Sequence, residues 1–460
     1  MNFSPTTFAG ERFAVVGLGK NGLPAALALR AMGADVVGWD DKAEARAQAE
    51  AAGVTVAEPD MAGLTALVLS PGIPHTLPRP HPLAAAARAA GTPILSDAEL
   101  LYRAARRNRS RARFAGITGT NGKSTTTALL AHIVADAGCP VAAGGNLGTP
   151  ALALPLLPDS GVYVLEMSSY MLERLATLRF DAAVMLNLSA DHLDRHGDMA
   201  GYSAAKYSVF DRQQAGDTAA IGVDDELSRQ MAARLRAAPG RVVTISGEAA
   251  ADVCAPHGVL RDLAGPICHL AEARALPGAH NWQNAAAAAA LALCLGVPRQ
   301  AIARGMRTYP GLPHRLERVG EIDGIAFVND SKATNADSTA RALACYDRVV
   351  WIAGGMAKAG GIEPLAPFFP RIAHAFLIGR DAPVLAETLR RHGVTFSDVG
   401  TLEHATAAAF AAARAGAANT VLLSPACASW DQFTGFDQRG DRFREYVRAL
   451  GAADAMKGAA

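Results

Sequence analysis

The sequence predicts an α/β protein with three domains, each built around a mostly parallel β-sheet that is covered by helices. Short runs rich in β-branched residues alternate with alanine- and leucine-rich stretches almost throughout the chain, and this alternation is typical of βαβ units. The chain has 460 residues, which favours about three domains at roughly 150 residues each. Half of the residues are hydrophobic and 19% are charged, so there is enough apolar material for folded cores.

The predicted strands fall into three successive sets, one for each domain. The first set is 13–19, 35–40, 66–72 and 92–97; the second includes 113–119, 162–169, 182–189, 218–225 and 241–246; the third includes 325–331, 348–355, 374–379 and 419–426. A helix leading into an arginine-rich stretch and a turn-rich segment mark the two boundaries. We therefore predict domains at 1–97, 98–311 and 312–460, with an alanine-rich helix at 284–295 ending the middle domain.

Composition argues against several classes of function. Lys and Arg total 44 against 43 Asp and Glu, and this balance gives no general attraction to nucleic acid or anionic lipid. The six cysteines are scattered without close pairs, which argues against a disulfide framework or a cysteine-rich zinc site and fits a reducing compartment. The N-terminus does not have the pattern of an export signal, and the longest apolar stretch has 13 residues, short of the roughly 20 that span a bilayer. We expect a cytoplasmic protein without a nucleic-acid partner or membrane insertion.

The first glycine motif follows the first predicted strand and opens a helix. It runs Gly17-Leu-Gly19-Lys20-Asn21-Gly22, and the next strand ends in Asp40, 23 residues after Gly17. Glycines at such a turn let backbone N–H groups approach a phosphate at the helix N-terminus. The motif predicts a nucleotide or its diphosphate, and both NAD and a UDP-sugar fit it.

The second glycine motif lies between strand 113–119 and an apolar helix. It consists of Gly119, Thr120, Asn121, Gly122, Lys123, Ser124 and Thr125. A glycine-rich turn followed by Lys-Ser offers backbone donors, an ammonium group and a Mg²⁺-binding hydroxyl to a triphosphate, which predicts ATP or GTP. The spacing departs from the general GxxxxGK[ST] pattern, because Ile117 stands where the first glycine is expected.

This second motif and a series of further segments together resemble the Mur ligases, the ATP-dependent amino-acid-adding enzymes of peptidoglycan synthesis. The segments follow the family's order over nearly the whole chain: GGNLG at 144–148, VLEMSSY at 164–170, LNLSADHLD at 186–194, YSAAK at 202–206, HNWQN at 280–284, GLPHRLE at 311–317, NDSKATN at 329–335, LSPACASWDQF at 423–433 and FDQRG at 436–440. Within the family, three of them (311–315, 329–335 and 423–433) resemble the branch that adds D-glutamate to UDP-N-acetylmuramoyl-L-alanine.

The resemblance implies a fold, a reaction and a set of partners. It implies an N-terminal Rossmann-like domain that binds the UDP-sugar, a central P-loop-type ATPase domain, and a C-terminal Rossmann-like domain that binds the incoming amino acid. The expected reaction forms an acyl phosphate with ATP, which the amine of the amino acid then attacks. ATP as co-substrate, two Mg²⁺ ions, small-molecule substrates and a monomeric protein are implied with it.

The resemblance also assigns roles to individual residues. The implied catalytic residues are Lys123, Glu166, His192 and Lys206, and the implied metal ligands are Ser124, Glu166, His192 and Lys206, the last as a carbamate formed with CO₂. ATP would contact the loop 119–125 together with Asn284, Arg315 and Asp330. The UDP-sugar would contact Gly17, Gly19, Lys20, Asn21, Gly22, Asp40, Asp41, Lys42, Ser70, Gly72, Asn146, Ser168 and His192. D-glutamate would contact Lys332, Thr334, Lys358, Ser429, Trp430 and Phe436.

Three other functions compete with this interpretation. An oxidoreductase could use the first glycine motif, but it has no use for a second loop that carries Lys-Ser. An NTPase switch would use the second motif without joining two substrates. An enzyme like folylpolyglutamate synthase shares the ligase plan, but those enzymes begin close to the ATP loop and lack the preceding fingerprint domain.

Overall fold

The computed structural model of the chain divides into two compact units, which are described separately. It describes residues 2–237, 239–358, 360–451 and 453–454. The first unit comprises Met1–Leu270 and Asn281–Arg307, and the second comprises Ala271–His280 and Thr308–Ala460. The described strands form three sheets, two in the first unit and one in the second.

The first sheet has five parallel strands in the order β3-β2-β1-β4-β5. Its elements are β1 (Arg12–Val16), α1 (Gly22–Ala31), β2 (Asp35–Trp39), α2 (Ala43–Ala51), β3 (Thr55–Val56), β4 (Ala66–Leu69), α3 (Pro82–Ala89) and β5 (Ile94–Leu95). The strand order reverses between β1 and β4. In open α/β sheets, ligands bind at the carboxyl ends of the strands beside such a reversal.

The second sheet has nine strands in the order β14-β13-β12-β11-β10-β9-β6-β8-β7. The elements of this region are α4 (Asp97–Arg107), β6 (Arg113–Thr118), α5 (Lys123–Asp136), β7 (Val141–Gly145), β8 (Val162–Glu166), α6 (Ser169–Leu172), β9 (Ala182–Met185), α7 (Leu193–His196), α8 (Met199–Tyr207), β10 (Thr218–Gly222), α9 (Glu226–Leu235), β11 (Arg241–Ser246), β12 (Val253–Cys254), β13 (Val259–Asp262), β14 (Gly265–His269), α10 (His280–Cys294) and α11 (Arg299–Thr308), with short 3₁₀ segments at Ala151–Ala153, Pro256–Gly258 and Leu270–Glu272. Strands β6 to β12 pair in parallel, whereas β12, β13 and β14 pair antiparallel. Strand β6 lies between β8 and β9, so the loops that follow these three strands meet at one edge.

The third sheet belongs to the second unit and has seven strands in the order β19-β18-β17-β20-β16-β15-β21. Its elements are β15 (Glu317–Ile322), β16 (Ile325–Asn329), α12 (Ala336–Ala344), β17 (Val349–Gly354), a 3₁₀ segment (Glu363–Arg371), β18 (Ile372–Ile378), α13 (Ala382–Arg391), β19 (Phe396–Gly400), α14 (Leu402–Arg414), β20 (Thr420–Leu423), α15 (Phe436–Ala449) and β21 (Ala453–Asp454). Strands β15 and β21 pair antiparallel and the others pair in parallel. Trp351 is fully buried in β17, and its indole N–H donates to the Ser424 carbonyl at 2.8 Å.

The predicted α/β class with mostly parallel sheets is confirmed, but several predicted strands extend too far at their carboxyl ends. Strand β1 ends at Val16 rather than at residue 19, because Gly17 turns the chain with a φ of +88°. The alanine-rich helix begins earlier than predicted, at His280, and α11 follows it. That this helix ends the middle domain stays a prediction. The boundaries 97/98 and 311/312 stay predictions.

Two structural observations bear on the expectations from composition. All six cysteines are free thiols. Across the described ranges, no helix combines the length and apolar character needed to cross a membrane.

Candidate active site

A cleft of about 410 Å³ opens at the carboxyl ends of β1 and β4, where the strand order reverses. Most of the predicted UDP-sugar residues of the first sheet line it: Gly17, Gly19, Lys20, Asn21, Asp40, Asp41, Lys42, Ser70 and Gly72. Sequence reasoning missed four further lining residues, which are Val16, Pro71, Ile73 and His81. Gly22 does not line the cleft, because it packs beneath the turn, where an added Cβ would overlap the Gly17 carbonyl.

Hydrogen bonds fix the backbone around this cleft. The Asp40 carboxylate accepts from the N–H groups of Leu18 at 2.7 Å and Lys42 at 2.9 Å, and so joins the loops after β1 and β2. The Ser70 hydroxyl donates to the Gly17 carbonyl at 2.7 Å, which joins the loops after β1 and β4. Gly17 has a positive φ, and a Cβ there would lie 2.8 Å from the Ser70 Cβ, so the position favours glycine. The aspartate predicted to contact a ligand therefore also shapes the turn.

His81 holds the outer edge of the cleft. Its Nδ1 accepts the N–H of Leu83 at 3.2 Å and caps α3, so the ring proton lies on Nε2. That Nε2–H points at the Asp41 carboxylate, 3.3 Å away. The imidazole therefore fixes one of the predicted ligand-binding carboxylates.

The second glycine loop connects β6 to α5 with two glycines at positive φ. Gly119 has a φ of +146° and Gly122 a φ of +85°. A Cβ at Gly122 would overlap Oδ1 of Asn284, so this predicted ATP-binding residue packs directly on the loop. The Lys123 ammonium donates to the carbonyls of Gly119 and Thr120, each at 2.9 Å, and thereby lies over its own loop. Ser124 is in the first turn of α5, where N–H groups and the helix dipole favour an anion.

Two residues that sequence reasoning missed support this loop from behind. Asn187, in the loop after β9, accepts the Thr120 N–H with its carbonyl and the Asn121 N–H with its Oδ1, each at 2.9 Å. Its amide Nδ2 donates to Oε1 of Gln283 at 2.8 Å. Both residues lie inside the segments that carry the family resemblance, so that pattern contained the signal.

Lys206 is a buried lysine on α8 that contacts the second glycine loop. Its Nζ donates to the Gly119 carbonyl at 2.8 Å, and the residue is only 2% exposed. Burial and, to a lesser extent, repulsion from Lys123 lower the pKa of Lys206 to about 6, against the attraction of Asp191 and Glu166. The amine is therefore mostly uncharged at neutral pH, which is the form that reacts with CO₂.

Lysine is rare in this chain and concentrated in the predicted sites. The chain has seven lysines among its 44 Lys and Arg residues. Six of them are predicted site residues, namely Lys20, Lys42, Lys123, Lys206, Lys332 and Lys358. The seventh, Lys457, lies outside the described residues.

The buried carboxylate of Glu166 at the end of β8 fits a divalent cation. Its Oε1 accepts from Nδ2 of Asn146 at 2.7 Å, while its Oε2 is buried without a hydrogen-bond partner in the described structure. Glu166 stands beside Ile117 of β6, just before the second glycine loop. Nowhere in the described ranges do three or more His, Cys, Asp or Glu residues form a metal-binding group. One carboxylate supplemented by phosphate oxygens is the usual environment of Mg²⁺.

The loops after β8 and β9 carry the two other predicted residues of this edge. His192 has a φ of +52°, and its half-exposed side chain lies 3.5 Å from the Asp191 carboxylate. Ser168 caps α6, because its hydroxyl accepts the Met171 N–H at 3.3 Å. Both residues follow strands that flank β6, so the topology brings them to the edge of the sheet that carries the second glycine loop.

In the second unit, Asp330 is a buried carboxylate at the end of β16. It accepts from the Ser424 hydroxyl at 2.8 Å and from the Leu316 N–H at 3.2 Å. Burial raises the pKa of Asp330 to about 7, although these hydrogen bonds and nearby Arg315 favour ionisation. Arg315 itself is exposed.

The predicted D-glutamate residues of the second unit differ in burial. Ser429 is buried, Thr334 and Phe436 are half-buried, and Lys358 and Trp430 are exposed. The Lys332 ammonium lies 5.5 Å from the centre of the Phe436 ring.

A buried arginine that sequence reasoning missed supports the same loops. Arg439 donates to the hydroxyl of Ser331 at 2.9 Å and to the carbonyls of Ser331 and Cys427 at 2.8 and 3.1 Å. It therefore joins the loops after β16 and β20, which carry Lys332 and Ser429.

The chain is similar in sequence to known proteins over nearly its whole length. The chain matches the Mur ligase middle domain over residues 117–292 and the Mur ligase glutamate ligase domain over residues 314–427. It is 52% identical to the UDP-N-acetylmuramoylalanine--D-glutamate ligase of Paramagnetospirillum magneticum, over 96% of this chain and 97% of that protein. It is 48% identical to the protein of the same name from Rhodospirillum rubrum, over 96% and 95%.

A solved structure agrees at the level of the fold. The UDP-N-acetylmuramate-alanine ligase of Thermotoga maritima matches with a TM-score of 0.60 at 18% identity, over 96% of this chain and 99% of that one. The chain belongs to the Mur ligase family.

Proposed function

We propose that the protein is the ATP-dependent ligase that adds D-glutamate to UDP-N-acetylmuramoyl-L-alanine during peptidoglycan precursor synthesis. It would act in the cytoplasm as a monomer, with two Mg²⁺ ions, and release ADP and phosphate. The observation that carries the proposal is the pairing, within one unit, of a nucleotide cleft and a Lys-Ser phosphate loop. Near-full-length relatives at about half identity carry the name of this activity.

The proposed reaction has two steps. An oxygen of the L-alanyl carboxylate attacks the γ-phosphorus of ATP, the bond to the ADP oxygen breaks, and an acyl phosphate forms. The amine of D-glutamate then attacks the acyl carbon, phosphate leaves with the electron pair of the C–O bond, and the amine loses a proton. Phosphoryl transfer of this kind depends on positioning and charge neutralisation.

The residues at the edge of the second sheet would supply that neutralisation. Lys123 would leave the carbonyls that it contacts and bind the β- and γ-phosphates. Ser124 and the free oxygen of Glu166 would hold one Mg²⁺, and His192 would serve the second. Magnesium neutralises the charge that develops on the transferred group. A carbamate on Lys206 would add an anionic oxygen for placing the metal, and the uncharged amine supports its formation.

The other two substrates would bind elsewhere. The cleft of the first sheet would take the uridine diphosphate, with its N–H-rich turn at the phosphates, and Asn146 and Ser168 would extend this site. In the second unit, Lys332 and Lys358 would neutralise the carboxylates of D-glutamate, with further contacts from Thr334, Ser429, Trp430 and Phe436. Arg315 and Asp330 would contact ATP.

The decisive assay measures ATP-dependent phosphate release with UDP-N-acetylmuramoyl-L-alanine and a panel of amino acids of both hands. We expect release only with D-glutamate present, together with a product heavier by one glutamyl residue. Phosphate release that needs neither acceptor would instead favour an NTPase switch, and a nicotinamide absorbance change would favour an oxidoreductase.

Lys123→Ala tests the assignment of the ATP loop. We expect loss of turnover, because the triphosphate loses a direct charge partner. Arg304→Ala is the matched control, since Arg304 is a cation of the same unit that pairs with Asp136 at 2.7 Å. Turnover of the Lys123 variant that equals the control would contradict the assignment.

A further inference from the structure

Arg174 reaches from the region of the second sheet into the wall of the nucleotide cleft. It follows α6 in sequence, yet its guanidinium binds carbonyls of the loop after β4. Nη1 donates to the carbonyls of Leu69 at 2.8 Å and Ser70 at 3.2 Å, and Nη2 donates to that of Ile73 at 2.6 Å. The three contacts join residues about one hundred positions apart in the chain.

The charge of Arg174 is buried and is neutralised by backbone dipoles. The residue is 2% exposed, and in the described structure no carboxylate oxygen lies within hydrogen-bonding distance of its guanidinium. Burial lowers the pKa of Arg174 to about 10, and the side chain stays protonated at neutral pH. A buried cation is tolerated only if its N–H groups are satisfied, so displacing these carbonyls would be costly.

A second arginine binds the same loop from its outer side. Arg195, on α7, donates from Nη1 to the Gly72 carbonyl at 2.9 Å. Its guanidinium also lies 4.4 Å from the centre of the Tyr170 ring. Together the two arginines hold four of the five carbonyls between residues 69 and 73.

The loop that they hold is the one on which the cleft depends. Ser70 and Gly72 line the cleft, and the Ser70 hydroxyl fixes the glycine turn after β1. The Arg174 backbone is itself anchored, because its carbonyl accepts the Ser96 N–H at 3.0 Å. Three N–H groups that follow it, at residues 176–178, donate to the buried Glu99 carboxylate at 2.8–3.0 Å.

We propose that Arg174, assisted by Arg195, is a positioning residue for the UDP-sugar, because it sets the wall 69–73 of the cleft from the segment that follows β8. This inference rests on the proposed function. Since β8 ends in Glu166, the same segment starts at the predicted metal site and ends at the nucleotide cleft. Besides the loop carbonyls, the Arg174 guanidinium contacts Nδ1 of His75 at 3.3–3.4 Å, and Arg195 contacts the Tyr170 ring. Neither arginine lines the cleft, so their effect on the substrate acts through the loop.

The test compares the binding of two ligands in two variants. Arg174→Lys keeps the charge but loses the planar fork that serves three carbonyls. Each lost hydrogen bond from a charged donor is worth about tenfold in an equilibrium. By calorimetry we expect Arg174→Lys to weaken the binding of UDP-N-acetylmuramoyl-L-alanine at least about tenfold. We expect Arg195→Gln to weaken it about threefold or more. A non-hydrolysable ATP analogue should bind each variant within about twofold of wild type. In the activity assay, the KM for the UDP-sugar should rise while the KM for ATP stays nearly unchanged.

Arg179→Lys is the matched control, since Arg179 lies five residues along the same segment and pairs with Asp217 at 3.2 Å, away from the cleft loop. Unchanged UDP-sugar affinity in Arg174→Lys would overturn the inference, as would an equal loss for both ligands, which indicates general structural support. If that variant does not fold, the half-exposed Arg195→Gln decides by the same criteria. Wild-type protein that fails to bind the UDP-sugar would instead overturn the proposed function.

Discussion

Replacing the buried Lys206 by methionine should stabilise the ligand-free protein at neutral pH while abolishing ligase activity. The side chain is almost fully buried, and among the described residues its ammonium donates only to the Gly119 carbonyl. Methionine has a similar length and no charge, so it fills the same space without a buried amine. The expected loss of activity follows from the loss of the group that would place the metal.

The size of the gain follows from the difference in pKa between the unfolded and folded chain. A lysine in an unfolded chain has a pKa of about 10.4, and the fold lowers that of Lys206 to about 6. Between these values the unfolded chain binds one more proton, so wild-type stability rises with pH over this window. At pH 7, burying the uncharged amine lowers the free energy of unfolding by about 5 kcal/mol. This is the distance of about 3.4 pKa units between pH 7 and the unfolded pKa, at 1.36 kcal/mol per unit. The lost hydrogen bond offsets about 1 kcal/mol, which leaves a gain of about 4 kcal/mol at most.

The assay is thermal unfolding of wild type and variant at pH 7 and pH 10, without ligands and in buffer free of CO₂, because a carbamate would change the charge at this position. The gain of Lys206→Met should shrink to about zero at pH 10, where the unfolded lysine also begins to lose its proton. Lys358→Met, at an exposed lysine of the second unit, is the control and should change little at either pH. A Lys206 variant that is less stable than wild type at pH 7, or a gain independent of pH, would refute the reasoning.

Three further predictions concern the same unit. Gly122→Ala should weaken ATP binding at least about tenfold by calorimetry, because its Cβ would overlap a side chain behind the loop. The control is Gly138→Ala, which is also at positive φ but faces open space. It should lose only about 1 kcal/mol of stability and no ATP affinity. Glu99→Gln should lower the free energy of unfolding by about 2–4 kcal/mol, since an amide nitrogen replaces a carboxylate oxygen that accepts backbone N–H groups; a loss no greater than that of Glu11→Gln, at a surface ion pair, would contradict this. Lys206→Ala should be impaired and partly recover with a short-chain carboxylic acid, and an absence of recovery would leave the carbamate without support.

The parallel sheets could be predicted because each buried strand appears in the sequence as a short apolar run between two helices. Their carboxyl ends were placed too far along the chain, because the predicted strands ran on into the polar and glycine residues that follow the apolar run. Strand β1 ends at Val16, before the positive-φ turn at Gly17, and β2 ends at Trp39, before Asp40. The antiparallel strands β13, β14 and β15 were also missed. They are amphipathic, exposed on one face and broken by polar residues, so they carry a weaker periodic signal than the buried strands.

For the candidate site, motifs indicated the residues that lie on loops, but not the residues that hold those loops in place. Asn187 and Gln283 stand inside recognisable motifs, so their support of the ATP loop could have been suspected. Arg174 could not, because the adjacent pair Glu173-Arg174 between two leucines resembles the solvent-facing positions of a helix. Its shortest contacts are with backbone carbonyls, which have no sequence signature, and only the folded chain brings them together.

The distribution of lysines limits how this protein can be handled. Amine-directed chemistry, such as coupling to a sensor chip, attachment of a dye through a succinimidyl ester or reductive methylation before crystallisation, would modify predicted substrate sites at nearly every lysine it reaches. Immobilisation through an added terminal tag avoids this damage. Because the lysines are so few, acylation followed by mass spectrometry would report simply which substrate site is occupied. A bound substrate would protect the amine in its own site, so each protected lysine would point to one substrate.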